Sequence, residues 1–203
     1  MNRVKRIDKT QAKKKQILQQ ALVCFVEHGV QNTSIQMLCE VTNTSVGSLY
    51  HHFGNKDAIA ARVYVEGMKD FSRLVNQYLQ NLQQPDSAES IIKNLVYANV
   101  DWISKNKEWT QYLFNNRFVM KSSSEKETLA KNSEEFFKQL KEKISIHIQS
   151  GELKDLPENI YHAFISGPVH EYARHYLAGR YRKPIKRYRE EFAESAWQAL
   201  RKN

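Results

Sequence analysis

TSIQMLCEVTNTSVGSLYHHFGNK, residues 33–56, is the stretch around which this 203-residue chain is organised. Two short helical patterns flank Thr42-Asn43-Thr44, a turn of residues that favour caps and left-handed backbone. Ile35, Leu38 and Cys39 give the first helix an apolar face at spacings of three and four, and Val46, Leu49 and Phe53 do so for the second, with Tyr50 at its edge. Thr33 is the expected cap of the first helix, and Thr44 or Ser45 of the second. At roughly 100° of turn per residue, Thr44, Gly47, Ser48 and His51 gather on the face turned away from Val46, Leu49 and Phe53. That face is small, polar and uncharged. A glycine costs about 1 kcal/mol in a helix interior, so Gly47 calls for something that approaches the helix closely. A DNA duplex fits, because a helix-turn-helix lays the outer face of its second helix in the major groove.

Outward from this stretch the chain reads as helix after helix. Lys13 to His28 carries Ile17, Leu18, Ala21, Leu22, Phe25 and Val26 in one stripe and ends at Gly29. Gly54-Asn55 punctuates, and a long helix follows from Lys56 to about Leu82. The start of that helix attracts phosphate through its free N–H groups, with Lys56 adding charge. Further helices are expected over 87–105, 107–118, up to about 150, over 157–177 and over 184–200, with Gly167-Pro168 kinking or breaking the penultimate one. Seven Gly and four Pro are few for this length, set against roughly 12% in average proteins. The fold class is all-α, with about nine helices. Residues 1–55 form the expected helix-turn-helix domain and 56–203 a larger helical domain.

The net charge of +9 favours an anionic partner, and its distribution sharpens that. Residues 1–15 hold Arg3, Lys5, Arg6, Lys9, Lys13, Lys14 and Lys15 against Asp8 alone, an arm suited to phosphate or the minor groove and equally to solvent. A second acid-free basic cluster spans 174–189, from Arg174 through Arg180, Arg182, Lys183, Lys186 and Arg187 to Arg189. Solvated charge and an anionic partner both account for it. No stretch approaches the ~18 apolar residues of a membrane span, and no signal-peptide segment opens the chain, so a cytoplasmic protein without a membrane partner is expected. Cys24 and Cys39 lie on apolar faces and read as small core residues. His170 and His175 are five apart, roughly 140° around a helix, and cannot share one metal. Neither Cys has a partner at ligand spacing, and there is no Gly-rich phosphate loop or nucleophile elbow. No catalytic residue, metal or cofactor is therefore expected, and the protein is not read as an enzyme.

Residues 17–60, ILQQALVCFVEHGVQNTSIQMLCEVTNTSVGSLYHHFGNKDAIA, resemble the DNA-binding domain of the TetR family of bacterial transcriptional regulators. The likeness rests on the helix ending in Gly29, Thr33-Ser34-Ile35, Val46-Gly47-Ser48-Leu49-Tyr50, Phe53 and Lys56-Asp57. Asn43 stands where Gly is frequent in that family and Val46 where Lys is frequent. The resemblance implies a dimer through the last two helices, and a small-molecule pocket in the larger domain. Its candidate walls are Trp102, Trp109, Tyr112, Phe114, Phe118, Tyr161, Phe164 and Tyr172, residues that periodicity alone reads as core. The expected function is a ligand-released, dimeric repressor on a palindromic double-stranded DNA operator. Thr44, Gly47, Ser48 and His51 meet bases or close backbone, Thr33, Tyr50 and Lys56 hold phosphates, and Ser45 is a further DNA-binding candidate. A constitutive DNA-binding dimer and a basic helical protein for membrane or protein partners remain the alternatives.

Overall fold

The computed structural model describes residues 2–82, 87–117, 138 and 140–202, with side chains from residue 11 onward. Its helices are α1 (Asn2–His28), α2 (Ile35–Thr42), α3 (Val46–Phe53), α4 (Lys56–Gln80), α5 (Ala88–Lys105), α6 (Lys107–Asn115), α7 (140–149), α8 (Glu158–Leu177) and α9 (Arg189–Leu200). No strand occurs among the described residues, and the all-α expectation holds. The helix ends follow from capping chemistry. Ser34, Ser45 and Ser87 each accept a hydrogen bond from the backbone N–H three residues on. The Asn55 carboxamide does the same for Ala58 at the start of α4. Gly29 ends α1 at φ +77°, a left-handed residue that a side chain would strain. α1 begins eleven residues earlier than expected: the basic arm is helical backbone continuous with the apolar stripe.

The chain forms two compact units. The first comprises residues 1–68 and 108–130, the second 69–107 and 131–203. α4 therefore belongs to both, and the first unit reaches beyond the boundary at 55/56 that the sequence suggests. In the first unit Ile17, Leu18, Ala21, Leu22 and Phe25 of α1 are buried, as are Leu38, Leu49 and Phe53. α6 joins this core from a distance in sequence. Tyr112 stacks on Phe25 with centroids 6.0 Å apart and donates its hydroxyl to the Ala60 carbonyl at 2.8 Å. Trp109 lies so close to Gly67 that a Cβ there would stand 2.6 Å from its Cε3.

In the second unit α8 and α9 pack on α5. The last helix departs from expectation twice. Ile185–Tyr188 is a 3-10 turn, and α9 proper starts at Arg189. Ile185, Ala193, Ala196 and Leu200 are buried within the unit, so much of the apolar face suggested for dimer contact is already covered by its own chain. α8 runs through Gly167-Pro168 without the break that is one of the two outcomes expected there. Pro168 is exposed, so the carbonyl it deprives of a partner lies toward water and the loss is small.

Candidate nucleic-acid interface

The geometry of α2 and α3 starts at Asn43. Its left-handed backbone, φ 45° and ψ 50°, turns the chain sharply enough for the Thr44 N–H to reach the Cys39 carbonyl at 3.0 Å. Leu38, Leu49 and Phe53 then bury inward, and α3 is fixed with its opposite side bare. Gly47 and His51 are exposed there, Ser48 is half-buried, and Tyr50 stands 49% exposed. Nothing lies within 4 Å of where a Gly47 Cβ would be. Ser45 is exposed and caps the helix, its hydroxyl accepting from the Ser48 N–H at 3.3 Å.

Four expectations need correction. Thr44 is buried, and its hydroxyl donates to the Thr42 carbonyl at 3.0 Å, so it does not share the outer face. Thr33 is only 1% exposed and donates to the Gly29 carbonyl at 2.7 Å; Ser34, not Thr33, caps α2. A threonine hydroxyl that finds a carbonyl a few residues back can be buried without leaving a polar group unmet. Lys56 is half-buried, and its ammonium donates to the carbonyls of Gln31 at 3.1 Å and Thr33 at 2.8 Å. It pins the loop before α2 to the start of α4, which leaves a phosphate only its remaining hydrogen. Val46, placed on the inward face by periodicity, is 44% exposed.

Charge gathers beside this face rather than on it. Burial, then the positive charges of His51, Lys14 and Lys13, hold the His52 imidazole below its usual pKa. Lys13 and Lys14 of α1 therefore stand close to the last turn of α3. Arg62 donates to the His52 carbonyl at 3.0 Å and lies over the Phe53 ring at 5.4 Å, closing the carboxy end of α3. Nothing in the sequence marks Arg62 for this role, since it sits among ordinary core positions of α4.

The eight aromatic candidates for a ligand pocket divide between the two units. Trp109, Tyr112 and Phe114 belong to the first unit, and Trp102, Tyr161, Phe164 and Tyr172 to the second; Phe118 lies outside the described residues. Trp102 donates to Asp70 at 3.0 Å, Tyr161 to the Lys154 carbonyl at 2.7 Å and Tyr172 to the Lys183 carbonyl at 2.9 Å. With Tyr112 on Ala60, each of these polar atoms is already bound by the protein. Phe164 faces outward on α8, 42% exposed. Burial pushes the Cys24 thiol above its usual pKa, and both cysteines are free. His175 meets Glu171 at 3.1 Å, while His170 lies edge-on to His162 at 6.3 Å. Among the described residues no three potential metal ligands cluster, and no helix is long and apolar enough to cross a membrane.

Fold and face together define a helix-turn-helix protein with a helical body. Residues 17–63 match the family model described as bacterial regulatory proteins, tetR family. The transcriptional repressor AcnR of Corynebacterium glutamicum is 31% identical over 70 residues, which are 34% of this chain and 37% of that repressor. The matched stretch thus spans little more than a third of that relative's length. Across the whole chain, a TetR family transcription regulator from Marinobacter aquaeolei superposes with a TM-score of 0.79 at 16% identity, covering 97% of this chain and 99% of that one. The ketosteroid transcriptional regulator KstR2 of Mycobacterium tuberculosis gives 0.71 at 17% identity, over 94% and 95%. Residues 17–63 thus carry a TetR-family amino-terminal domain, and the chain shares the fold of solved TetR family regulators.

Proposed function

We propose that the protein is a dimeric transcriptional repressor that grips a two-fold DNA operator and releases it when a small molecule binds the second unit. The observation that carries this reading is the outer face of α3. Val46, Gly47, Ser48, Tyr50 and His51 form a shallow surface that is exposed or half-exposed and nearly neutral, with basic residues beside it. A groove-reading helix needs this division, because base edges are read by close fit and hydrogen bonding while flanking cations hold the backbone. Val46 is suited to a thymine methyl, Ser48 and His51 to base-edge acceptors.

For the dimer, α8 supplies Ala163, Phe164, Gly167 and Pro168 as exposed residues, small or apolar, that its own chain leaves open to a second copy. α9 contributes less than expected, since its inward face is spent on α5. Two heads would then meet half-sites about one DNA turn apart. For release, α4 is the element shared by both units. A ligand that favours one setting of its second half over another changes the setting of the head by that difference in affinity. One observation favours a constitutive binder instead: the polar atoms of Trp102, Tyr112, Tyr161 and Tyr172 are all engaged internally. Titrating the operator complex with small-molecule pools separates the two readings by release or its absence. Selection of bound duplexes from random DNA tests the core of the proposal. Inverted half-sites one turn apart are expected; enrichment of no site overturns it.

A further inference from the structure

The whole positive excess of the chain resides in two stretches: residues 1–15, with a surplus of six, and residues 180–187, with Arg180, Arg182, Lys183, Lys186 and Arg187 and no acid. The remainder is slightly acidic. The first stretch leads into the helix-turn-helix. The second, the turn between α8 and α9, has no part in the function proposed above.

Elsewhere in the second unit, cations near carboxylates are paired. Lys93 bridges Glu89 at 2.6 Å and Glu194 at 2.7 Å, Arg174 meets Glu171 at 3.1 Å, and Arg73 meets Asp70 at 2.8 Å. The turn is different. Arg182, Lys183, Lys186 and Arg187 are exposed and have no side-chain partner among the described residues. Arg180 touches only the His175 ring, at 3.4 Å. These like charges are nevertheless carried on a braced frame. The Tyr181 ring lies 4.8 Å from His175 and 4.9 Å from Tyr172, and Tyr172 hydrogen-bonds the Lys183 carbonyl at 2.9 Å. The N–H groups of Arg180 and Tyr181 both turn back to the His175 carbonyl. A solvated charge run needs no such bracing. A surface that must hold several cations ready for one polyanion does, because the ordering cost is then met before binding.

We infer that the turn between α8 and α9 is a second, sequence-independent nucleic-acid contact, which takes the phosphate backbone of duplex DNA. Three of its five cations are Arg, whose planar fork matches phosphate oxygens two at a time. Ile185, the largest aliphatic side chain between 178 and 187, is buried, and the Tyr181 ring packs on Tyr172 and His175, so beyond Ala178 and Pro184 the turn offers a bilayer no aliphatic anchor. Regularly spaced phosphates are the polyanion that suits cations along one short turn.

The test uses the full chain with a Ser48→Glu change, which disables groove reading and isolates backbone binding. Affinity for a random-sequence duplex is measured against salt concentration. Removing four cations (Arg182→Ala, Lys183→Ala, Lys186→Ala, Arg187→Ala) is expected to flatten the log–log slope by about 3 to 4. Arg182→Lys with Arg187→Lys retains the slope. Removing the exposed Lys105, Lys141 and Lys202 instead leaves it within one unit, which separates direct contact from net charge. An unchanged slope in the four-cation variant overturns the inference and leaves solvated charge. Loss of binding to phosphatidylserine vesicles with the DNA slope intact overturns it in favour of a membrane. Neither result touches the reading of α3, which fails instead if Ser48→Glu leaves site preference intact.

Discussion

The outer face of α3 and the turn between α8 and α9 are both exposed, and both face an anion in the readings above, yet they are built on opposite rules. α3 presents a glycine, a serine, a valine and a histidine, with its neighbouring charge set to one side. The turn presents five cations and no acid. A surface that discriminates between base pairs gains from closeness and loses from charge, which would hold any sequence equally well. A surface that holds backbone has the reverse need. Net charge alone confuses the two, whereas the placement of charge on the fold separates them.

The sharpest way to break this comparison is to charge the neutral face. Ser48→Glu sets a carboxylate against the groove and is expected to weaken operator binding at least about 100-fold, since a like charge in an interface costs several kcal/mol. The thermal midpoint of this half-buried, helix-surface site should barely move; a binding loss under threefold removes α3 as the reader. A subtler change takes one methyl from the DNA. Replacing each operator thymine by uracil in turn should cost about fivefold at one position, roughly 1 kcal/mol, and that cost should vanish in Val46→Ala. If the two effects simply add, Val46 does not touch a thymine. Gly47→Ala has open space within the protein, and should stabilise the fold by up to about 1 kcal/mol. The same change should weaken operator binding a few-fold, a split that chemical denaturation and anisotropy reveal together.

The smallest expected effect is one of pH. Folding lowers the His52 pKa from the ordinary 6.5, so the folded chain holds that proton less tightly than the unfolded one. Its stability contribution is then full above pH 6.5 and is lost as the pH falls below it. DNA reverses the sign, because phosphate favours the protonated ring. Operator affinity should rise modestly from pH 7.5 to 6, with proton uptake visible by calorimetry in buffers of different ionisation enthalpy. His52→Gln should remove that uptake, and an unchanged pH profile in this variant would place the effect elsewhere.

How much of this was legible beforehand depends on the range of the interactions concerned. α2, α3 and their turn are set by neighbours within four residues: Ser34 and Ser45 as caps, Asn43 as the left-handed hinge. Periodicity reached their inward faces for the same reason. It misjudged Val46 because a repeat gives the direction of a side chain and not whether anything lies opposite. It misjudged Thr33 and Thr44 because a hydroxyl suggests water until a carbonyl in reach makes burial harmless. Lys56 shows the long-range case, its partners being 23 and 25 residues away. The body was legible as a run of helices, but not in its packing. No local signal says that α6 lies against α1 and α4, or that α9 spends its apolar face on α5.

Tyr112 and Trp109 carry a practical lesson for anyone who would exchange reading heads among such proteins. A chimera that joined residues 1–68 to a foreign body would leave Phe25 without its stacked ring and the Ala60 carbonyl without its donor. It would also leave an open slot at Gly67. The transplantable piece is discontinuous in the gene, and a working graft has to carry α6 along with the segment that reads DNA.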